Sequence, residues 1–355
     1  MIHYTNIRFR AAAAVLSMAL AMTGCHKEEN PGSPTAPQPV RADTPRYVAA
    51  HEGKIYVSCY NPPSVVRIDT ATLEVEAQCL LGRFQPEGMA VAGGKLVVAS
   101  SWIADETGAA LYDNKVYIVD LGTFSVATTV EVGLNPQTVK AVDATHVVVN
   151  SNGDYGSTPA ATTLINLADL TTRDAGVGLT AMDTHEGLVY GYNAPYGAAA
   201  VRFLCLDPTT LQTTPLLEGA AIASPYGINA IGGDLYVCTG VYNANGDARR
   251  YRTDGSLVWS REAGVFPAKV EPLGDGTAYV LNQGSWGSSN ASLDRIDLAT
   301  GTATTRVFSA ANGRDLGDVA QDVVAYGSRA YVAVSFSNTV EAVSVKDNRS
   351  VQIAL

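Results

Sequence analysis

The chain has 355 residues, 46% hydrophobic and 16% charged, with 33 glycines and 16 prolines, a composition that excludes an intrinsically disordered polymer. That length is at or above what one compact core sustains, so two domains or a repeat architecture are expected. The formal charge is −10 with no Lys/Arg cluster beyond the N-terminus, which argues against a nucleic-acid or anionic-membrane surface.

At the N-terminus, Arg8 and Arg10 precede the apolar run Ala11–Met22 and then "TGC". A basic stretch, a short apolar stretch and small residues read as a secretory signal over residues 1–24. The run is too short for a comfortable transmembrane span. "MTGC" resembles the bacterial lipobox, which makes Cys25 the expected lipidation site. The acidic "KEE" behind it resembles the export tag of Bacteroidetes surface lipoproteins. Pro31, Pro34, Pro37 and Pro39 then stiffen a tether over residues 25–44, at about 3.1 Å per residue in polyproline form. The other cysteines, Cys59, Cys79, Cys205 and Cys238, show no metal spacing and sit in apolar strand patterns, so they read as core thiols.

From residue 45 to 355 one unit recurs. Apolar strands start at Lys54 ("KIYVSCY"), Lys95 ("KLVVASS"), His146, Leu188, Asp234, Thr277 ("TAYVLNQ") and Arg329 ("RAYVAVS"). Each follows a shorter strand entered through a turn such as "PRYV", "PEGM", "PQTV" or "PYGI". Each precedes a strand ending in a string such as "RID" or "IVD", and a turn such as "TATLEV" then leads into a fourth. Four strands repeated seven times predict an all-β, seven-bladed β-propeller of four-stranded antiparallel blades, following the signal peptide and Pro-rich tether. No helix is expected after the leader. The "P-x-x-V", "K-x-Y-V" and "ID-x-x-T" strings resemble those of the YVTN/YncE-like propellers, a likeness that covers the whole repeat region and implies the same fold.

In such a blade the loop between strands two and three shares a face with the connection to the next blade. Those loops carry Trp102, Tyr112, Tyr155, Tyr196, Tyr242 and Trp286 among Asn, Ser and Gly, including Asn193 and Asn243. Rigid aromatic area beside adaptable hydrogen-bonding groups is the composition of a recognition surface. Strand heads at the channel mouth add Arg46, Glu87, Gln137, Thr180, Tyr226, Ala268 and Gln321, a mix suited to a large neutral-to-polar ligand. His51, His146 and His185 fall in turns on the opposite face, in separate blades. The strings Asn150–Asp154 and Asn243–Asp247 share "N-x-N-G-D" without the remaining ligands of a calcium loop, and read as turns.

Catalytic signatures are missing: there is no G-x-S-x-G elbow, no H-E-x-x-H and no sialidase box. Asp105, Glu106, Asp113, Asp154 and Asp247 are the acids from which a carboxylate pair would have to come. Binding is therefore expected rather than catalysis, with no cofactor required. A leader, a Pro-rich tether and one YncE-like propeller resemble the BtuG family of cobalamin-capturing surface lipoproteins of Bacteroidetes. That resemblance implies a corrinoid (vitamin B12) as transported ligand, a BtuB-like TonB-dependent outer-membrane transporter as partner, and lipid anchoring in the outer membrane facing the exterior. The alternatives are a glycan-binding or glycan-processing propeller, in which Trp102 and Trp286 stack on sugars, and a surface-layer or adhesion propeller binding another protein.

Overall fold

The computed structural model describes residues 40–194 and 200–355; the expected signal segment, Cys25 and most of the expected tether lie outside them. Four-stranded antiparallel sheets form in strict chain order, seven in all, each beginning with the strand nearest the axis. The second strands are Lys54–Asn61, Lys95–Ala104, His146–Ser151, Leu188–Asn193, Asp234–Thr239, Thr277–Asn282 and Arg329–Val334, each starting where the repeat reading places it. Their middles are buried on both faces because each blade is sandwiched between two others.

The apolar interior is correspondingly divided. Each hydrophobic cluster of the described residues joins two consecutive blades. One packs Val97, Ile118 and Val116 of blade 2 against Val147, Val149 and Ile165 of blade 3. Another packs Tyr236 and Trp259 of blade 5 against Val280 and Ile296 of blade 6. No core has to grow with chain length, which is how the described residues fold without a second core of their own.

Ring closure uses no exchanged strand: blade 1 is Asp43 to Leu80 and blade 7 is Ala320 to Ala354, each continuous in sequence. Side chains bridge the seam instead. Asp322 accepts from Val48 N–H at 3.1 Å, Ser335 donates to the Pro45 carbonyl at 2.6 Å, and Asn338 accepts from Thr44 N–H at 2.9 Å. Ile55, Val57 and Ile68 pack beneath them against Tyr331, Val340 and Ile353.

Blade 6 departs from the repeat. Its outer strand is only Ala303–Thr304, after which the chain turns into α1 (Val307–Asn312), so the expectation of no helix is corrected. Phe308 of α1 is fully buried against Leu293, Leu316 and Val343, replacing the apolar face a longer strand would supply. Asp294 stands in for the missing ladder: its carboxylate accepts from Arg306 N–H at 2.8 Å and from Asn282 Nδ2 at 2.8 Å. Four buried or half-buried cysteine thiols are free, none in a disulfide.

The turns between third and outer strands of blades 2, 4 and 6 share a device. An acid closes the third strand and its carboxylate accepts backbone N–H groups of the turn: Asp120 from Thr123, Asp207 from Thr209, Asp297 from Thr300, each at 2.7–2.8 Å. Those backbone bonds hold all three carboxyls below the ordinary range. Folded-state values below the unfolded one give stabilisation that is complete above about pH 4 and lost as pH falls through the folded values. Thermal melts should therefore be level near neutrality and fall steeply below about pH 4, the losses at several blades adding together. A melting temperature unchanged down to about pH 2 would remove these turns from the stability of the ring.

Four residues after each such acid the chain passes through positive φ, at Leu211 (61°), Phe124 (50°) and Gly301 (70°). Blade 6 has glycine there for a reason that packing supplies. A Cβ on Gly301 would lie 2.7 Å from the Trp259 indole of blade 5, whose Nε1 donates to the Leu298 carbonyl at 3.1 Å. Gly301→Ala should cost about 1–3 kcal/mol in urea unfolding, by overpacking plus left-handed strain. A cost near zero would mean that the Trp259 ring moves aside freely.

Candidate ligand-binding face

The loops between second and third strands and the blade-to-blade connections do share one face, tied by backbone bonds. Ser101 N–H donates to the Gln85 carbonyl at 2.9 Å, Asn152 to Asn135 at 2.9 Å, and Gln283 to Phe266 at 3.0 Å. Aromatic residues from both kinds of segment therefore meet there.

Over blades 5 to 7 they form a continuous crescent. Tyr226 packs on Phe266 with centroids 4.1 Å apart, and Tyr242 meets the same ring edge-on at 5.7 Å. The Tyr242 hydroxyl accepts from Trp286 N–H at 3.0 Å, and the Trp286 ring leans on Phe336 at 6.2 Å. Gly287 N–H adds a bond to Asp318 of the next connection at 2.9 Å. The Trp286 backbone is thus clamped from both neighbouring blades while its side chain stays 65% exposed. Tyr226, Tyr242 and Phe336 are also exposed, so the crescent is an apolar strip open to solvent.

The remaining candidates have other surroundings. Trp102 and Tyr112 do not lie in a loop: the blade 2 strands Lys95–Ala104 and Ala110–Asp120 run on past the sheet as a hairpin in which the two face each other. A register shift between Ser100 and Trp102 lets the strands continue, and Asp105 closes the tip by accepting from Thr107 and Ala109 N–H. Tyr112 meets the exposed Tyr155 of blade 3 edge-on at 6.3 Å. Asn193 is turned inward, its amide donating to the Gly178 carbonyl. Asn243 is exposed and takes positive φ in its turn. Tyr196 lies outside the described residues.

The mouth residues are joined to one another. Arg46 pairs with Glu87 at 3.2 Å and donates to Gln321 at 2.7 Å; Gln283 donates to Gln321 at 2.8 Å, and Tyr226 donates to Gln283 at 3.2 Å. Tyr60 donates to Glu87, and its ring lies 4.8 Å from the Arg46 guanidinium. Burial, then Glu87, holds the Tyr60 phenol well above its usual range. Burial by itself would lower the Arg46 value, but Glu87 together with Tyr60, Tyr47 and Tyr226 raises it and keeps the guanidinium charged. This belt spans the mouth from blade 2 through blades 1, 7 and 6 to blade 5. Gln137 stands apart from it, bonded to Asn135 at 2.6 Å.

Four of the five acids named as possible catalytic groups, Asp105, Asp113, Asp154 and Asp247, are occupied locally. Asp113 accepts from Ser100, Asp154 from Gly156 and Thr158, and Asp247 pairs with Arg249. The first and second "N-x-N-G-D" strings thereby use their carboxylates within the fold. His51, His146 and His185 lie at the opposite ends of the blades, each beside its own acid.

Phe266, Phe336, Tyr60 and Gln283 complete these arrangements without having been among the sequence candidates. Phe266 was findable, because a connection between blades must emerge on the loop face, and it is an aromatic residue in one.

No family model and no curated protein matches the chain. Solved structures do. It is similar to Kuenenia stuttgartiensis hydrazine synthase at 14% identity and a TM-score of 0.61, covering 89% of this chain and 100% of that one. The β-propeller domain of Myceliophteria thermophila Cps50 (Swd1) gives 10% and 0.58, covering 89% and 98%. The computationally designed Ika8 protein gives 9% and 0.53, covering 89% and 97%. At these identities the likeness is one of fold alone.

Proposed function

We propose that the protein is a lipid-anchored surface lipoprotein that captures cobalamin on its loop face and delivers it to a BtuB-like TonB-dependent transporter of the outer membrane. The observation that carries the reading is the aromatic crescent of Tyr226, Phe266, Tyr242, Trp286 and Phe336. It offers a wide, rigid apolar strip beside the amide- and hydroxyl-bearing mouth, a pairing suited to a corrinoid, which is broad, apolar on its faces and edged with amides. The belt of paired charges supplies no unbalanced charge to attract an ionic ligand in its place. The lipobox-like "MTGC" and the tether sequence support the anchoring, and the reading assigns no catalytic step.

The test is calorimetric titration of residues 40–355 with cyanocobalamin, followed by gel filtration to see whether colour travels with protein. Saturable one-to-one binding with a coloured protein peak supports the proposal. No heat and a colourless peak overturn it and bring glycans forward, with Trp286 as the stacking platform.

A further inference from the structure

The inner strands enclose an axial cavity of about 330 Å³. It exists because the position following the strand head is small in blades 2, 4 and 5: Gly88, Ala181 and Gly227. At Gly227 a Cβ would lie 1.9 Å from the Ala268 carbonyl oxygen of the next inner strand, and at Gly88 2.7 Å from that of Gln137. Strand approach, not chance, keeps the hollow empty of side chains.

Each of its charges already has an oppositely charged partner. Lys140 pairs with Asp183 at 2.9 Å; Lys269 pairs with Asp322 at 2.9 Å and Glu271 at 3.2 Å. A ligand charge of either sign finds no unpaired opposite there. Four polar groups in the wall nevertheless have spare capacity. The hydroxyls of Tyr47 and Thr138 and the side-chain oxygen of Gln137 make no hydrogen bond with any described residue. Among the described residues the Lys140 ammonium has Asp183 as its one side-chain partner. Burial pushes the Tyr47 phenol above its usual range, so it stays a neutral donor.

Donors from Tyr47, Thr138 and Lys140 share the wall with an acceptor from Gln137 and the ring of Tyr226. Hydroxyl groups both donate and accept, and a compact saturated ring carries several of them around an apolar face. The volume sits at the lower end of ligand pockets. We propose that this axial cavity binds one small, neutral, polyhydroxylated ring of monosaccharide size, separately from whatever occupies the crescent. It shares Tyr226 with the crescent, but neither Trp286 nor Tyr242 lines it.

The experiment titrates the full chain with glucose, galactose, N-acetylglucosamine and myo-inositol at millimolar concentration, read by saturation-transfer NMR and calorimetry. Tyr47→Phe and Thr138→Val are the informative variants. Each removes a hydroxyl that has no partner among the described residues, so neither leaves an orphaned group and neither should shift the melting temperature. The expected result is saturable binding of at least one neutral ring, weakened about tenfold by either variant, unchanged by Trp286→Ala, and weaker for glucuronate and glucosamine than for their neutral parents. The proposal is overturned if none of the four rings saturates. It is equally overturned if both hydroxyl variants bind like wild type, or if Trp286→Ala abolishes the signal, which would put the sugar on the crescent.

Discussion

Asp322→Ala is expected to cost about 3–5 kcal/mol, the largest loss from a single side chain at the ring seam. The inner strand of every blade is an edge strand, and half its N–H groups face away from its own ladder. The fold satisfies several with side chains from the preceding blade: Asp183 accepts from Ala230 N–H, Asn229 from Val270 N–H, Glu271 from Ala325 N–H, and Asp322 from Val48 N–H. Only the last spans the two chain ends. Asp322 is 8% exposed, and its other oxygen holds Lys269 at 2.9 Å. Burial by itself would lower the Lys269 value, and Asp322 is the first of the acids that instead raise it. Alanine would leave a buried amide without an acceptor and an ammonium relying on Glu271 and the Val323 carbonyl. Asp322→Asn keeps an oxygen for Val48 and should fall between alanine and wild type. Urea midpoints decide it: a loss below about 1 kcal/mol for alanine would show that the apolar cluster under the seam closes the ring unaided.

How much of this was legible in the chain depends on burial. The second strands announce themselves because both faces are covered, so "IYV", "LVV", "AYV" runs admit almost no polar residue. Outer strands have one wet face and little constraint, and blade 6 shows the consequence. "TATTRVFSAANGRD" supplies Val307 and Phe308 side by side, which suits a strand as well as a helix. Only Asp294, reaching from the third strand, reveals that the ladder is replaced. The loop face was legible as an address and as a composition. Trp286 and Tyr242 sit where Gly, Ser and Asn make a core position impossible. Pairings were not legible: nothing in the spacing of Arg46, Glu87 and Gln321 states that they bond to one another across 275 residues. Asn193 looks identical in sequence whether its amide faces a ligand or the Gly178 carbonyl. Trp102 was misplaced because a hairpin that outgrows its sheet reads as a loop with aromatic residues in it.

The second large effect expected is on binding. With cyanocobalamin as probe, Trp286→Ala should lose about 2–4 kcal/mol of affinity, roughly 30- to 1,000-fold, as central exposed aromatic anchors do. Little of that should come from folding, because the ring is solvent-exposed and touches chiefly Phe336. Tyr242→Phe isolates a different contribution. It keeps the ring against Phe266 but removes the oxygen that accepts from Trp286 N–H, so the loop loses one of the clamps that hold the indole in place. A loss of about 1 kcal/mol is expected, appearing as faster dissociation. Because that hydroxyl acts through Trp286, the double variant should bind no more weakly than Trp286→Ala alone, a non-additivity that two independent contacts would not give. Trp102→Ala, at a half-buried position in the hairpin of blade 2, is the comparison. If it costs as much as Trp286→Ala while the latter leaves the melting temperature unchanged, the ligand lies over blade 2 and the crescent is not its main support.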